Sequence, residues 1–205
     1  MFTGLIEQQG EVLANISNQS ANRLIISSSF DQLVTGESIA VNGVCLTLLP
    51  MQIPGQLHFD ISPETLRLTT LADVTTKILV NLERAMFGAA RFGGHYVSGH
   101  VDTMAHVSAI QKIDECMEVE LSGFNAQEML YLIPKGSITV DGVSLTINQA
   151  LNQTVKLMLI PHTLQRTTFR WLHVGQKVNI EFDYLTRIVA HQLQINGKLN
   201  CEVKP

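Results

Sequence analysis

Aliphatic and β-branched residues run along this chain in short stretches cut by Gly, Asn, Asp and Ser. Gly10 to Ile16, Arg23 to Ser27, Ser38 to Val41, Val44 to Leu48 and Gln56 to Ile61 each have the length and make-up of a β-strand. Asn42-Gly43 and Asp141-Gly142 are the strongest hairpin signals, because both central residues of a type I′ turn need positive φ. Many short strands at this spacing predict small closed barrels. Pro63 to Leu66 and Phe124 to Leu132 read as one short helix per half, each covering a barrel end. Between Tyr184 and Ile195, Leu185, Ile188, Val189 and Leu193 recur at helical spacing. That stripe needs a partner, either the chain's own second half or another subunit.

The pattern is written twice. Val41-Asn42-Gly43-Val44-Cys45-Leu46-Thr47 returns as Val140-Asp141-Gly142-Val143-Ser144-Leu145-Thr146, about a hundred residues on. Pro63 to Thr70 matches Pro161 to Thr168, Val80-Asn81-Leu82-Glu83 matches Val178-Asn179-Ile180-Glu181, and Thr3-Gly4 matches Ser98-Gly99. One tandem duplication accounts for all of these, and two copies are too few for a solenoid. Paired glycines at Gly93-Gly94 mark the junction, giving modules at 1–94 and 95–184 and a helix with a tail at 185–205. Two similar modules predict two similar pockets, with the chemistry where the copies differ.

Charge and cysteine content narrow the class. Fourteen basic residues stand against 18 acidic ones, for a net charge of −4, which supplies no basic face for nucleic acid. Cys45, Cys116 and Cys201 are an odd number with no CxxC pair, and Glu7 stands where a leader would be basic, so a reduced, cytoplasmic setting is expected. No apolar run has the length to cross a bilayer as a helix. The seven histidines lie without HExxH or a Cys/His cluster, so no metal is expected.

Five motifs, in order, carry a resemblance. They are Met1 to Glu7, Val41 to Thr47, Gly93 to Asp102, Lys135 to Thr146, and Ile160 to Leu164. Together they resemble the riboflavin synthases of alpha-chain type, the duplicated lumazine-binding barrel family, from the first residue to about Ile195. The resemblance implies an all-β fold of two tandem, similar six-stranded antiparallel Greek-key barrels with short helices and a C-terminal helix. It implies a cofactor-free dismutation of two 6,7-dimethyl-8-ribityllumazine molecules. One gives a four-carbon unit to the other, forming riboflavin and 5-amino-6-(D-ribitylamino)uracil. It implies a homotrimer as well, with each site between the first barrel of one subunit and the second of its neighbour. Association with lumazine synthase stays open.

Within that frame the copies' differences suggest roles. Cys45 becomes Ser144 in the second copy. A free cysteine in a strand is ordinarily a small buried hydrophobe; the resemblance instead places Cys45 and Ser38 at the mouth of the first pocket, near the lumazine C7. His100 stands where the first copy has Leu5, and is expected in the second pocket as an acid/base, ahead of His95, which is read as structural. Asp141 replaces Asn42. It forms the turn in any case, and a carboxylate beside Ser144 and Thr146 would polarise either hydroxyl. Thr47, Thr65, Thr146 and Thr163 are read as binders of the ribityl hydroxyls and the pyrimidinedione edge, and Lys135 as a partner of a ring carbonyl or the ribityl chain, although a solvated lysine is its ordinary reading. Gly4, Leu5, Ile6, Leu46, Asp60, Ile61, Ser62, Pro63, Glu64, Gly99, Val101, Leu145, Leu159, Ile160, Pro161, His162 and Leu164 complete the implied contact set.

This chain has Lys77-Ile78 where many relatives have Gly-Asp before the last strand of the first barrel, and Gly175-Gln176 keeps only the glycine. That alters a surface turn. A non-catalytic lumazine or flavin binder on the same frame would have degraded its second pocket, whereas Gly99-His100, Ser144 to Thr146 and Ile160 to Thr163 are all present. A nicotinamide-dependent flavin reductase would need a dinucleotide fold, and the only glycine-rich candidate, Gly88 to Gly94, lies in the linker.

Overall fold

In a computed structural model describing residues 1–17 and 21–198, each copy of the repeat supplies six strands. The first gives β1 (Gln8–Ser17), β2 (Asn22–Ser27), β3 (Ser38–Val41), β4 (Val44–Thr47), β5 (Gln56–Ile61) and β6 (Leu79–Arg84). The second gives β7 (Thr103–Ile113), β8 (Cys116–Ser122), β9 (Ser137–Val140), β10 (Val143–Leu151), β11 (Thr154–Leu159) and β12 (Lys177–Phe182). Helices α1 (Pro63–Leu68), α2 (Pro161–Arg166) and α3 (Tyr184–Ile195) follow β5, β11 and β12. The Asn-Gly and Asp-Gly turns adopt the backbone expected of them, with φ of 44° and 79° at Asn42 and Gly43, and 42° and 82° at Asp141 and Gly142.

Both halves are antiparallel and share one strand order, β4-β3-β6-β1-β2-β5 and its counterpart β10-β9-β12-β7-β8-β11. In each, three successive strands lie side by side and the fourth returns beside the first, which is the Greek key. The second half closes through a β10–β11 ladder from Leu151↔Thr154 to Ile147↔Leu157. The first closes more loosely: Leu49 N–H donates to His58 O across the β4–β5 seam at 2.9 Å.

Alternation builds the cores. Leu57, Phe59 and Ile61 point into the first barrel with Leu24, Ile26 and Leu82, and Val155, Leu157 and Leu159 point into the second with Ile138 and Ile180. After α1 and α2, tight single turns drive Leu71 and Phe169 into their barrels as plugs, each turn capped by a threonine hydroxyl, Thr69 or Thr167.

The helix expected over Phe124 to Leu132 is a correction, because only Glu128–Tyr131 is helical, as a 3₁₀ turn. Gly123 precedes it, Pro134 disfavours helix at Ile133, and Asn125 and Glu128 cap one another reciprocally. The counterpart of α1 is α2 instead. Asp183 is the N-cap of α3, its carboxylate accepting from Leu185 N–H and Thr186 N–H. The helix face of Leu185, Ile188 and Val189 is exposed and only Ala190 is buried. No described helix is long and apolar enough to cross a membrane. Of the tail, residues 199–205, Cys201 among them, lie outside the described residues.

The barrels meet about a pseudo-two-fold axis. Gly43 and Gly142 face each other so closely that a Cβ on either would stand 2.7 Å from the other's backbone nitrogen. Asn81 Nδ2 donates to Asp141 O and Asn179 Nδ2 to Asn42 O, each at 2.9 Å. Their oxygens accept from Thr168 N and Thr70 N, so one asparagine from each copy ties the opposite barrel's hairpin and helix turn together.

Candidate active site

Two short segments, here called hooks, precede β1 and β7, and each docks on the other barrel. Gly99 O accepts from Cys45 N–H at 2.8 Å, and Gly4 O accepts from Ser144 N–H at 2.8 Å. Packing agrees, since Val101 lies against the first core and Ile6 against the second. Phe2 and Val97, equivalent residues of the two hooks, pair antiparallel and are fully buried together with Ala40. Both hook glycines have positive φ, 77° at Gly4 and 83° at Gly99, and a Cβ there would come within 2.6 Å of Ser144 Cβ or Cys45 Cβ. Only glycine fits on both grounds.

The exchange sorts the predicted residues into two groups and corrects one placement. Gly99, His100 and Val101 stand with Ser38, Cys45, Leu46 and Thr47 of the first barrel, so His100 belongs to the first group and not the second. Gly4, Leu5 and Ile6 stand with Ser144, Leu145 and Thr146 of the second. Ser38 lies opposite Thr47 across β3–β4. In the first barrel Asp60, Ile61, Ser62, Pro63, Glu64 and Thr65 run from the end of a strand into the short helix after it, where Ser62 Oγ accepts from Thr65 N–H and lies 2.9 Å from Thr65 Oγ1. Leu159, Ile160, Pro161, His162, Thr163 and Leu164 do so in the second. Lys135, exposed and with φ of 69°, donates its N–H to Ile147 O where β9 and β10 meet.

Both groups lie at a seam. The β10–β11 ladder stops at Ile147↔Leu157, leaving Ser144 to Thr146 and Leu159 to Ile160 on a split in the barrel wall. Alternation along an antiparallel strand sends the amides of Cys45, Thr47 and Leu49 to the same side. Cys45 is taken by the hook and Leu49 by His58. Thr47 N–H thus points into the seam between them, where a planar ring edge can meet it. Thr146 holds the equivalent place, and both threonines are exposed. A concavity of about 660 Å³ lies elsewhere, on the pseudo-axis between Asn42, Val74, Ile78, Asp141, Trp171 and His173. Apart from Asp141 it holds none of the predicted site residues, and neither hook reaches it; the seams, exposed on the surface of the single chain, are the better candidates.

Two groups behave differently from their sequence expectation. Asp141 is buried and its Oδ1 accepts from Asn179 N–H at 2.8 Å, as Asn42 Oδ1 does from Asn81 N–H at 2.7 Å. Its carboxyl is aimed at β12, and burial pushes its pKa up to about 7 against the weaker opposing pull of that bond. The hydroxyl of Ser144 is instead held by His95, with Nδ1 2.6 Å from Ser144 Oγ and Nε2 3.1 Å from Thr139 Oγ1. Burial lowers the His95 pKa, partly offset by the charge of Asp183. A neutral imidazole bridging two hydroxyls makes His95 a member of the second group.

Sequence reading also passed over Glu83 and Glu181. Glu83 accepts from Thr3 N–H and Oγ1–H at 2.7 Å each and from Gly4 N–H at 3.0 Å. Glu181 does the same for Ser98 N–H at 2.6 Å, Ser98 Oγ–H at 2.7 Å and Gly99 N–H at 2.9 Å. Burial raises both pKa values, and the hook donors oppose the rise. The signal was present, since Val-Asn-Leu-Glu and Val-Asn-Ile-Glu repeat two polar residues inside apolar strands.

The Lumazine binding domain family matches residues 3–85 and again 98–183. The riboflavin synthase of Bacillus subtilis (strain 168) is 43% identical over 187 residues, covering 90% of this chain and 86% of that protein. The riboflavin synthase of Photobacterium phosphoreum is 39% identical over 199 residues, 96% and 90% of the two chains. Among solved structures, LumP complexed with riboflavin superposes with a TM-score of 0.79 at 23% identity, covering 89% of this chain and 99% of that one. LumP complexed with 6,7-dimethyl-8-(1'-D-ribityl) lumazine gives 0.77 at 22%, covering 88% and 98%. The chain belongs to the lumazine-binding-domain family that includes the riboflavin synthases.

Proposed function

We propose that this chain is a transferase that converts two 6,7-dimethyl-8-ribityllumazine molecules into riboflavin and 5-amino-6-(D-ribitylamino)uracil, with no added cofactor. The observation that carries the reading is the crossed pair of hooks. They give each barrel the same backbone frame, while Cys45 and His100 stand at one seam where Ser144 and Leu5 stand at the other. A reaction between two copies of one molecule calls for two copies of one frame, with differences at the reacting edge. Holding the rings in contact supplies most of the rate, since effective molarities reach roughly 10⁵–10⁸ M.

In this reading Thr47 and Thr146 meet the pyrimidinedione edges, and Thr65 and Thr163 hold the ribityl hydroxyls. The C7 methyl of one lumazine loses a proton, the carbanion being delocalised into its electron-poor ring. It then adds to a C=N carbon of the partner ring, the π pair passing to the ring nitrogen; a second C–C bond closes the new ring, and the partner's two C–N bonds to its four-carbon unit break, releasing 5-amino-6-(D-ribitylamino)uracil. His100 moves protons from the first seam, and Ser38 and Cys45 bound the ring near C7. On the second seam His95 orients Ser144 toward the facing ring. Asp141 holds β12 and carries no proton in the reaction.

The exposed stripe of α3 supports assembly as a homotrimer, with the first seam of one subunit facing the second of its neighbour. The unpaired Cys45 and Cys116 suit a cytoplasmic protein. The purified chain incubated with 6,7-dimethyl-8-ribityllumazine alone should form riboflavin. Binding without turnover would favour the alternative, a lumazine- or flavin-binding protein, which the likeness to the LumP complexes supports.

A further inference from the structure

We infer that Glu83 and Glu181 are positioning residues that act crosswise: Glu83, built into the first barrel, sets the second pocket, and Glu181, built into the second, sets the first. The inference rests on the two-pocket reading above and adds the groups that hold each pocket's borrowed wall.

Each glutamate stands on the last strand of its barrel, and each grips two consecutive hook residues through three hydrogen bonds. Both carboxylates are nearly closed to solvent, at 4% exposure for Glu83 and 2% for Glu181. A buried carboxylate with three short donors is a stiff clamp, because any displacement of the hook leaves charged oxygens without partners. The grip ends at Gly4 and Gly99, whose carbonyls reach over to Ser144 N–H and Cys45 N–H. One path therefore runs Glu181, Ser98-Gly99, Cys45, and the other runs Glu83, Thr3-Gly4, Ser144. Both cross from one barrel to the other. A carboxylate acting only to stabilise its own barrel would bond within its own sheet; these bond to the hook and pass its position across.

Glutamine is the informative replacement, because it keeps size and one acceptor but turns the other into a donor facing a donor. In Glu181→Gln, amide exchange measured by NMR should speed up at Cys45 by roughly tenfold or more, and riboflavin should bind the Cys45 pocket correspondingly less tightly. The Ser144 amide and its pocket should hold their wild-type values. Glu83→Gln should give the mirror image. Riboflavin titration of the wild type, followed at the same two amides, tests the pocket reading separately: if neither amide shifts, that reading fails, while the exchange rates still judge the clamps. Equal effects on both pockets, or effects confined to the glutamate's own barrel, would overturn the inference. Should either glutamine variant fail to fold, Thr3→Ala and Ser98→Ala each remove one donor and must show the same crosswise asymmetry; without it the inference is wrong.

Discussion

His95 Nδ1 lies 2.6 Å from Ser144 Oγ, while its other ring nitrogen lies 3.1 Å from Thr139 Oγ1. The bridge ties the linker between the barrels to two adjacent strands of the second. His95→Ala should destabilise the protein by about 1–3 kcal/mol, since it strands a buried hydroxyl at Thr139. Because burial lowers the His95 pKa, its contribution is complete above the ordinary histidine range and is lost as pH falls through the lowered value. Urea unfolding at pH 5 and pH 8 checks both; a variant equally destabilised at the two pH values would remove the titration from the account.

Asp141 predicts the opposite slope. Its pKa, about 7 against an ordinary 3.8, is raised, so the stability it contributes is complete below about pH 4 and lost as pH rises through 7. The loss amounts to about 4 kcal/mol. Asp141→Asn reproduces the Asn42 arrangement of the other copy, so it should be more stable than wild type at pH 8 and nearly equal to it at pH 4. Denaturation midpoints across that range decide it.

The turns were legible from sequence because Asn42-Gly43 and Asp141-Gly142 depend only on their own φ values. The hooks were not. Met1 to Glu7 and Val97 to Asp102 carry the same local pattern, and nothing local says which barrel a hook joins, which is why His100 was expected in the second pocket. Phe124 to Leu132 does not form one helix, because Phe124 and Leu132 are both held by the barrel core and not by a helix face. Buried Glu83 and Glu181 were visible as repeated letters, yet their partners lie about eighty residues away.

On the first seam His100 is exposed, with its amide on Ser98 Oγ at 3.2 Å. His100→Gln should lower kcat by on the order of 10²–10⁴-fold with little change in lumazine binding. Thr163→Val, by contrast, should raise KM and leave kcat nearly intact. Full turnover in His100→Gln would make that histidine structural.

Residues 1–94 contain all six strands of the first barrel and its hook, but not Gly99. Two copies of this fragment can exchange hooks, Gly4 of each docking on Cys45 of the other. The fragment should therefore bind riboflavin as a dimer. Light scattering with calorimetric titration checks this, and a monomer that binds as tightly as the whole chain would contradict the borrowed wall.

Complementation tests most directly whether one seam from each of two chains makes one active site. A chain carrying Ser38→Ala with Cys45→Ala keeps its second seam, and one carrying Ser144→Ala with Thr146→Val keeps its first. Each alone should form no riboflavin from 6,7-dimethyl-8-ribityllumazine. Co-refolded, the two should regain riboflavin formation, because an intact first seam meets an intact second seam across subunits. Mixtures that assemble through α3 and stay inactive would contradict the account.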